Sequence, residues 1–317
     1  MRRRRFLGML GAGLIGVLPG ALPAAVRRGA ARRTGERLVE RWSWAMGQPV
    51  HLQLFAADEA AGYEAAQAAL AELWRVEHAL SGFDDSSDLC ELNRRAGRPA
   101  IRVGSDLAEV LVAALGFERA TAGAFNPSVE PLMRAWGFHA SRTREPTAPE
   151  IAAARRVVQA TRVVVDGDRV ELPSRESRLD LGGIGVGYGL DRAVAVLRRA
   201  GVRRAMLDIS GDCYALGAPP GEPGWLVEVA DPRPGRGMLA ATRLSDAALA
   251  TSSNSVSVVR YGRAVWGHVM DPSTGWPADA LAQVSVVARS GLEADALSTA
   301  MLVSGAPAPG VLRSFTL

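Results

Sequence analysis

Four stretches of this 317-residue chain gather polar groups and glycines within apolar surroundings. In Glu293–Ala300, EADALSTA, Asp295 and Thr299 stand four residues apart, hence on one helical face about a turn apart. Two hard oxygen donors near a helix start suit Mg²⁺, which takes few protein ligands plus phosphate and water. The same spacing also describes an N-terminal carboxylate and an ordinary helical threonine. In Gly267–Pro277, GHVMDPSTGWP, His268 ends an apolar strand just ahead of a turn built on Asp271-Pro272 and Gly275. A histidine there is placed for general-base work, or for a structural hydrogen bond. In Leu179–Asp191, LDLGGIGVGYGLD, four glycines in six positions precede a helix. Backbone can approach a ligand closely at such a turn and a helix N-terminus attracts phosphate, although close packing would use the same glycines. Asp208 or Asp212 stands where a dinucleotide fold would keep its ribose-binding acid, but a hairpin precedes the glycines, which argues against that fold. In Gly123–Phe138, GAFNPSVEPLMRAWGF, Phe125 and Asn126 offer an aromatic plane and an amide to a planar ligand, or form an aromatic core corner with Trp136 and Phe138. His51, His78 and His139 lack such settings and read as structural.

Composition removes several classes. All 37 basic residues are Arg, which excludes a Walker-A phosphate loop and a lysine Schiff base. The net charge of +4 belongs to the first residues: Arg2 to Arg5 precede any acid, and without residues 1–25 the balance is 33 basic against 33 acidic. A chain with no net positive field and no dense arginine stripe is a poor nucleic-acid binder. Nor does any segment repeat as a solenoid would.

The leader, RRRRFLGMLGAGLIGVLPGALPAA, resembles a twin-arginine export signal: paired arginines, Phe6-Leu7, a mildly apolar stretch and small residues around Pro23-Ala24-Ala25. Residues 1–25 are expected to be removed on export to the periplasm or another extracytoplasmic space. An uncleaved leader would be the only route to membrane association. Residues 26–45 read as a polar spacer. Cys90 and Cys213 are expected to be buried thiols.

The elements that must position the four stretches follow from periodicity. Pro49–Phe55 alternates as a strand, and residues 59–80 carry a helical stripe through Ala66, Leu70, Leu73 and Leu80. Helices are expected over 105–121, from Thr147 as cap, over 187–199 and over 293–303. RVVVDGDRVEL reads as a hairpin around Asp-Gly, 205–209 as a strand, and 213–288 as short strands. Interleaved helices and strands without regular βαβ spacing indicate an α+β fold in one unit.

Taken in register with Met46-Gly47, LSGFDDSSDLCELN, SGDCYALG and ATSSNS, the stretches resemble the ApbE-type FAD:protein FMN transferase family over residues 46–317. The resemblance implies a single ApbE-like domain of mixed sheets and packed helices with a central FAD-binding cleft. It implies an enzyme that splits FAD with Mg²⁺, releases AMP and attaches FMN to a Thr or Ser of an exported acceptor protein. Position by position it assigns FAD contacts to Met46, Phe83, Ala124, Phe125, Asn126, Asp180, Val186 and Val269. It assigns Mg²⁺ to the Gly183 carbonyl, Asp295 and Thr299, and the base to His268. Val186 stands where the family usually has Lys, Ser253 where it has Gly and Gln48 where it has Thr. The chain also ends soon after its last helix, where the family commonly adds a strand, so a less covered sheet edge is expected. Two alternatives share the same residues: a noncatalytic FAD carrier, and a pyrophosphatase releasing FMN and AMP to water.

Overall fold

A computed structural model describes residues 35–317 other than Pro234, and before them only a two-residue strand, β1 (Leu18–Pro19). Apart from these two residues, which pair with β9, the expected export leader lies outside the described residues. The elements that follow are β2 (Arg37–Ala45), β3 (Gln48–Ala56), α1 (Glu59–Leu80), α2 (Asp88–Arg94), β4 (Ile101–Arg102), α3 (Ser105–Ala120), α4 (Glu130–Trp136) and α5 (Ala148–Ala160). Next come β5 (Val164–Asp166), β6 (Arg169–Glu171), α6 (Gly185–Arg199), β7 (Ala205–Ile209), β8 (Asp212–Leu216), β9 (Trp225–Ala230) and β10 (Met238–Leu244). The chain closes with β11 (Ala247–Ser253), β12 (Val258–Tyr261), β13 (Ala264–Gly267), β14 (Gln283–Ala288), α7 (Gly291–Ser304) and β15 (Arg313–Thr316).

Seven strands form one antiparallel sheet in the order β15-β14-β11-β8-β7-β3-β2. Apolar residues of α1, α6 and α7 cover one face, packing Ala66, Leu73, Leu190, Leu197 and Leu297 onto Leu52, Leu207 and Val286. The antiparallel pair β9–β10 covers the other, with Trp225 and Val227 against Phe55, Met206 and Leu249. Inner strands covered on both faces lose the alternation their sequences display. Thus β7 and β14 are buried throughout, and β3 buries His51 and Gln53 beside its leucines. A second core gathers α1, α2, α3 and the start of α6 around Leu107, Leu111, Phe125 and Tyr188. A third joins α4 and α5 to the β12–β13 hairpin, where Trp136, Trp266 and Trp276 have ring centroids 5.1–5.5 Å apart.

Local signals explain the boundaries. At α5, Thr147 and Glu150 form a reciprocal capping box, worth about 1 kcal/mol in typical helices. The Asp-Gly hairpin closes as β5 and β6. Two expectations are corrected. Residues 37–45 of the presumed spacer are the edge strand β2, paired with β3 from Arg37↔Ala56 to Ala45↔Gln48. Arginine and glutamate among its residues masked the strand, yet charge is what a sheet edge tolerates. And the C-terminal edge is covered, because β15 pairs with β14 from Val284↔Thr316 to Val287↔Arg313. Among the described residues no helix is long and apolar enough to cross a membrane.

Candidate active site

The glycine stretch meets the last helix through backbone. A Cβ on Gly187 would collide with the Gly291 carbonyl, and one on Gly291 with that of Gly187, so α6 and α7 touch where both are side-chain-free. Asp191, one turn further along α6, holds the start of α7: its carboxylate accepts from the Gly291 and Leu292 amides at 2.7 and 3.0 Å. This contact sets Asp295 against α6, where its Oδ2 accepts from the Gly187 amide at 3.0 Å. One helical turn on, the Thr299 hydroxyl lies 2.9 Å from where a Gly183 Cβ would stand. Gly183, Asp295 and Thr299 therefore converge, and Ser252 of β11 joins them with its hydroxyl 3.2 Å from Thr299 Oγ1 and 2.8 Å from Ser298 Oγ.

Behind these oxygens sit two further carboxylates. Burial pushes Asp208 up to about 8 and Asp212 up to about 7, with the Asp212 charge adding to the shift at Asp208. Asp295 is raised well above the ordinary carboxylate range by burial and by Asp212. The Asp208 Oδ2 atom is buried without a hydrogen-bond partner. A hard cation would relieve this uncompensated carboxylate group. One carboxylate, one hydroxyl and a loop carbonyl suit Mg²⁺ completed by phosphate and water, so the residues present fit that ion. Among the described residues no three His, Cys, Asp or Glu side chains converge as a self-sufficient metal cluster.

The base candidate is placed by Asn254. Its side chain accepts from the Val269 amide at 2.9 Å and donates to the Ala278 carbonyl at 2.5 Å, so it ties both limbs of the loop that bears His268. Trp136 anchors the tip, donating from Nε1 to the Gly275 carbonyl at 2.9 Å. His268 Nδ1 is buried without a partner. Burial lowers the ring's pKa from its ordinary value, opposed by the Asp180 charge and a Ser257 backbone hydrogen bond. The ring is thus held neutral near pH 7 with a nitrogen unused, which is what a general base requires.

Asp180 stands between the two groups of residues. Its amide donates to the Pro127 carbonyl at 2.8 Å and its Oδ1 accepts from Gly182 at 2.8 Å, which shapes the glycine turn. Phe125 is buried in the second core, 6.2 Å ring to ring from Phe117, and its Cε2 lies 3.5 Å from a notional Gly183 Cβ. Asn126 spends its amide locally, donating to Glu118 and accepting from the Ser128 amide.

The ApbE family model matches residues 46–314. The chain belongs to the ApbE family. It is 26% identical over 266 residues to the FAD:protein FMN transferase of Klebsiella pneumoniae, covering 82% of this chain and 80% of that one. To the enzyme of that name from Treponema pallidum it is 32% identical over 251 residues, 74% and 69% of the two chains. The crystal structure of the ApbE protein of Thermotoga maritima superimposes with a TM-score of 0.78 at 28% identity, over 84% and 87% of the chains. The apo Pseudomonas stutzeri flavinyl transferase ApbE gives 0.74 at 26%, over 84% and 85%.

The remaining ApbE positions fall around the same loops. Met46 takes a left-handed conformation (φ 55°) in the β2–β3 turn, and its side chain reaches Gly189 of α6. Ala124 is partly buried beside Phe125, Val269 is buried, and Phe83 is largely exposed, its ring edge-on to His139 at 5.4 Å. Val186 packs into the sheet-facing core, so no cation is offered from that position. Two open cavities of about 300 and 290 Å³ adjoin Arg203 and include none of these residues, so neither is the expected central cleft. Cys90 and Cys213 are free thiols, one partly and one fully buried. Sequence reasoning missed Asn254, Ser252 and Asp191 as positioning groups. It also set His139 aside, and that ring contacts Asp180 at 3.2 Å. Only the fold reveals a partner 41 positions away in the chain.

Proposed function

We propose that this chain is an FAD:protein FMN transferase, moving FMN from FAD onto a Thr or Ser hydroxyl of an exported acceptor and releasing AMP. The observation that supports it most is the junction of the glycine turn with α7, where Gly183, Asp295 and Thr299 come together on the turn that begins at Asp180, whose charge also acts on His268. Relatives bearing that enzyme name match most of the chain.

In the reaction the acceptor hydroxyl oxygen forms a bond to the FMN phosphorus of FAD. The bond from that phosphorus to the bridging oxygen breaks, AMP departs with it, and His268 takes the hydroxyl proton. Asp295, Thr299 and the Gly183 carbonyl would hold Mg²⁺, which would neutralise charge on the pyrophosphate. Met46 would supply apolar surface for the flavin, the buried Phe125 backs the glycine turn at Gly183, and Asp180 fixes that turn for the phosphates. Mixing the protein with FAD, Mg²⁺ and a candidate acceptor separates the readings. Covalent FMN on the acceptor supports transfer, free FMN and AMP without it mean hydrolysis, and intact bound FAD means a carrier.

The reading extends to location: the leader's paired arginines and the neutral remainder of the chain support export by the twin-arginine route. Replacing Arg3 and Arg4 with Lys should retain the protein in the cytoplasm, and unimpaired export of that variant would refute the route.

A further inference from the structure

His139 has a carboxylate at each ring nitrogen. Nε2 lies 3.2 Å from Asp180 Oδ2 and Nδ1 lies 3.6 Å from Glu130 Oε1. All three side chains are largely buried, at 12%, 17% and 7% exposure. A neutral imidazole carries one N–H and no charge to set against two carboxylates, whereas the protonated ring has an N–H toward each and lies at ion-pair distance from both. Glu130 is itself anchored, since Oε1 also accepts from Arg134 at 2.6 and 2.9 Å. The charged groups around the ring are therefore Glu130 and Arg134 from α4, Asp180 from the glycine turn, and His268 from the loop beyond β13. Their balance favours the cation: the two carboxylates raise His139 above its ordinary range despite burial.

Phe138, the residue before His139, packs beside the base. Gly137, in a left-handed conformation (φ 92°), ends α4 and turns the chain so that Phe138 lies 6.4 Å ring to ring from His268 while His139 faces Asp180. Asp180 is thus flanked by two histidines. A carboxylate brought closer to His268 would favour the imidazolium, the form in which neither nitrogen can accept a proton. We propose that His139 is a positioning residue for the base: clamped between Glu130 and Asp180, it takes up the Asp180 carboxylate that would otherwise pair with His268 and leaves the His268 ring free to accept the proton of the acceptor hydroxyl. This rests on the transferase reading for what His268 does, but the charge arrangement is testable without it.

The chain has four histidines, so the ring resonances of the full-length protein can be assigned by single replacement and followed by NMR as pH is varied. In His139→Gln the titration midpoint of His268 should move to higher pH, because the Asp180 charge is no longer shared with a second cation. Glu130→Gln keeps the ring but weakens its hold on the proton, and should move His268 in the same direction. The double variant should move it no further than the larger single change. If His139→Gln fails to fold, Glu130→Gln decides alone. A His268 midpoint that stays put or falls overturns the proposal. In the transfer assay, His139→Gln should lose at least about threefold more activity near pH 6 than near pH 8.5. Equal loss at both would make His139 a packing residue and also overturn it. Should the wild-type protein transfer no FMN, the transferase reading fails while the NMR arm still decides the role of His139.

Discussion

His268 carries the chemistry in the proposed reaction because its loop keeps the ring neutral and one nitrogen free, not because the position is exposed. A Thr or Ser hydroxyl is a poor nucleophile at neutral pH, and a positioned imidazole typically accelerates such steps ~10²–10⁴-fold. His268→Ala should therefore slow FMN transfer by about that factor while FAD still binds, as fluorescence titration would show. Loss of FAD binding together with turnover would mark His268 as a ligand contact instead. At this scale the sequence was informative where spacing is local. Asp295 and Thr299 were legible because four residues make one helical turn. His139 was not, because its meaning comes from Asp180 and Glu130, which only the fold brings to it. Asn254 escaped for the same reason: nothing nearby in sequence announces that one amide ties Val269 to Ala278.

The decisive element-level feature is the crossing of α6 and α7. Both helices were legible from periodicity, and both begin two residues earlier than expected, at Gly185 and Gly291. Ser290 caps α7, its side chain accepting from the Glu293 amide at 3.2 Å. What periodicity could not give was the contact itself, which depends on Gly187 and Gly291 lacking side chains at one point. The short helices α2 and α4 went unread because seven residues make too little pattern. The strand β2 was hidden by its charges. Gly187→Ala tests the crossing. The added methyl must push α7 away, costing roughly 1–3 kcal/mol as overpacking commonly does. It should also separate Asp295 from the glycine turn, raising the Mg²⁺ concentration needed for transfer. Denaturation and a Mg²⁺ titration read the two effects separately. A variant as stable as wild type with the same Mg²⁺ dependence would mean that this contact does not set the site.

For the whole molecule, the buried carboxylates make stability depend on pH and on metal together. Asp208 and Asp212 titrate near 8 and 7 in the fold, and Asp295 is also raised, whereas in an unfolded chain all three lose their protons near the ordinary value of 3.8. Between about pH 4 and 8 the folded, metal-free protein holds more protons than the unfolded one, so these groups make stability fall as pH rises through that window. The histidines act in opposite senses. His139, raised, contributes stability that is lost as pH climbs past its folded pKa, whereas His268, lowered, costs stability as pH falls below the ordinary histidine range. In the proposed site Mg²⁺ would bind the ionised carboxylate and so would have to displace a proton whose occupancy rises as pH falls. The rise in thermal midpoint on adding Mg²⁺ should therefore be larger near pH 8 than near pH 5.5. Where the ion is a hundredfold above its Kd, linkage sets the gain at about 2.7 kcal/mol. Asp295→Asn keeps the shape and removes the charge, so it should forfeit most of that gain. Without metal it should also lose less stability than wild type between pH 5.5 and 8, since one raised carboxyl has gone. A Mg²⁺ effect of equal size at both pH values, or one that survives in Asp295→Asn, would mean that the ion is held away from the junction of the glycine turn and the last helix.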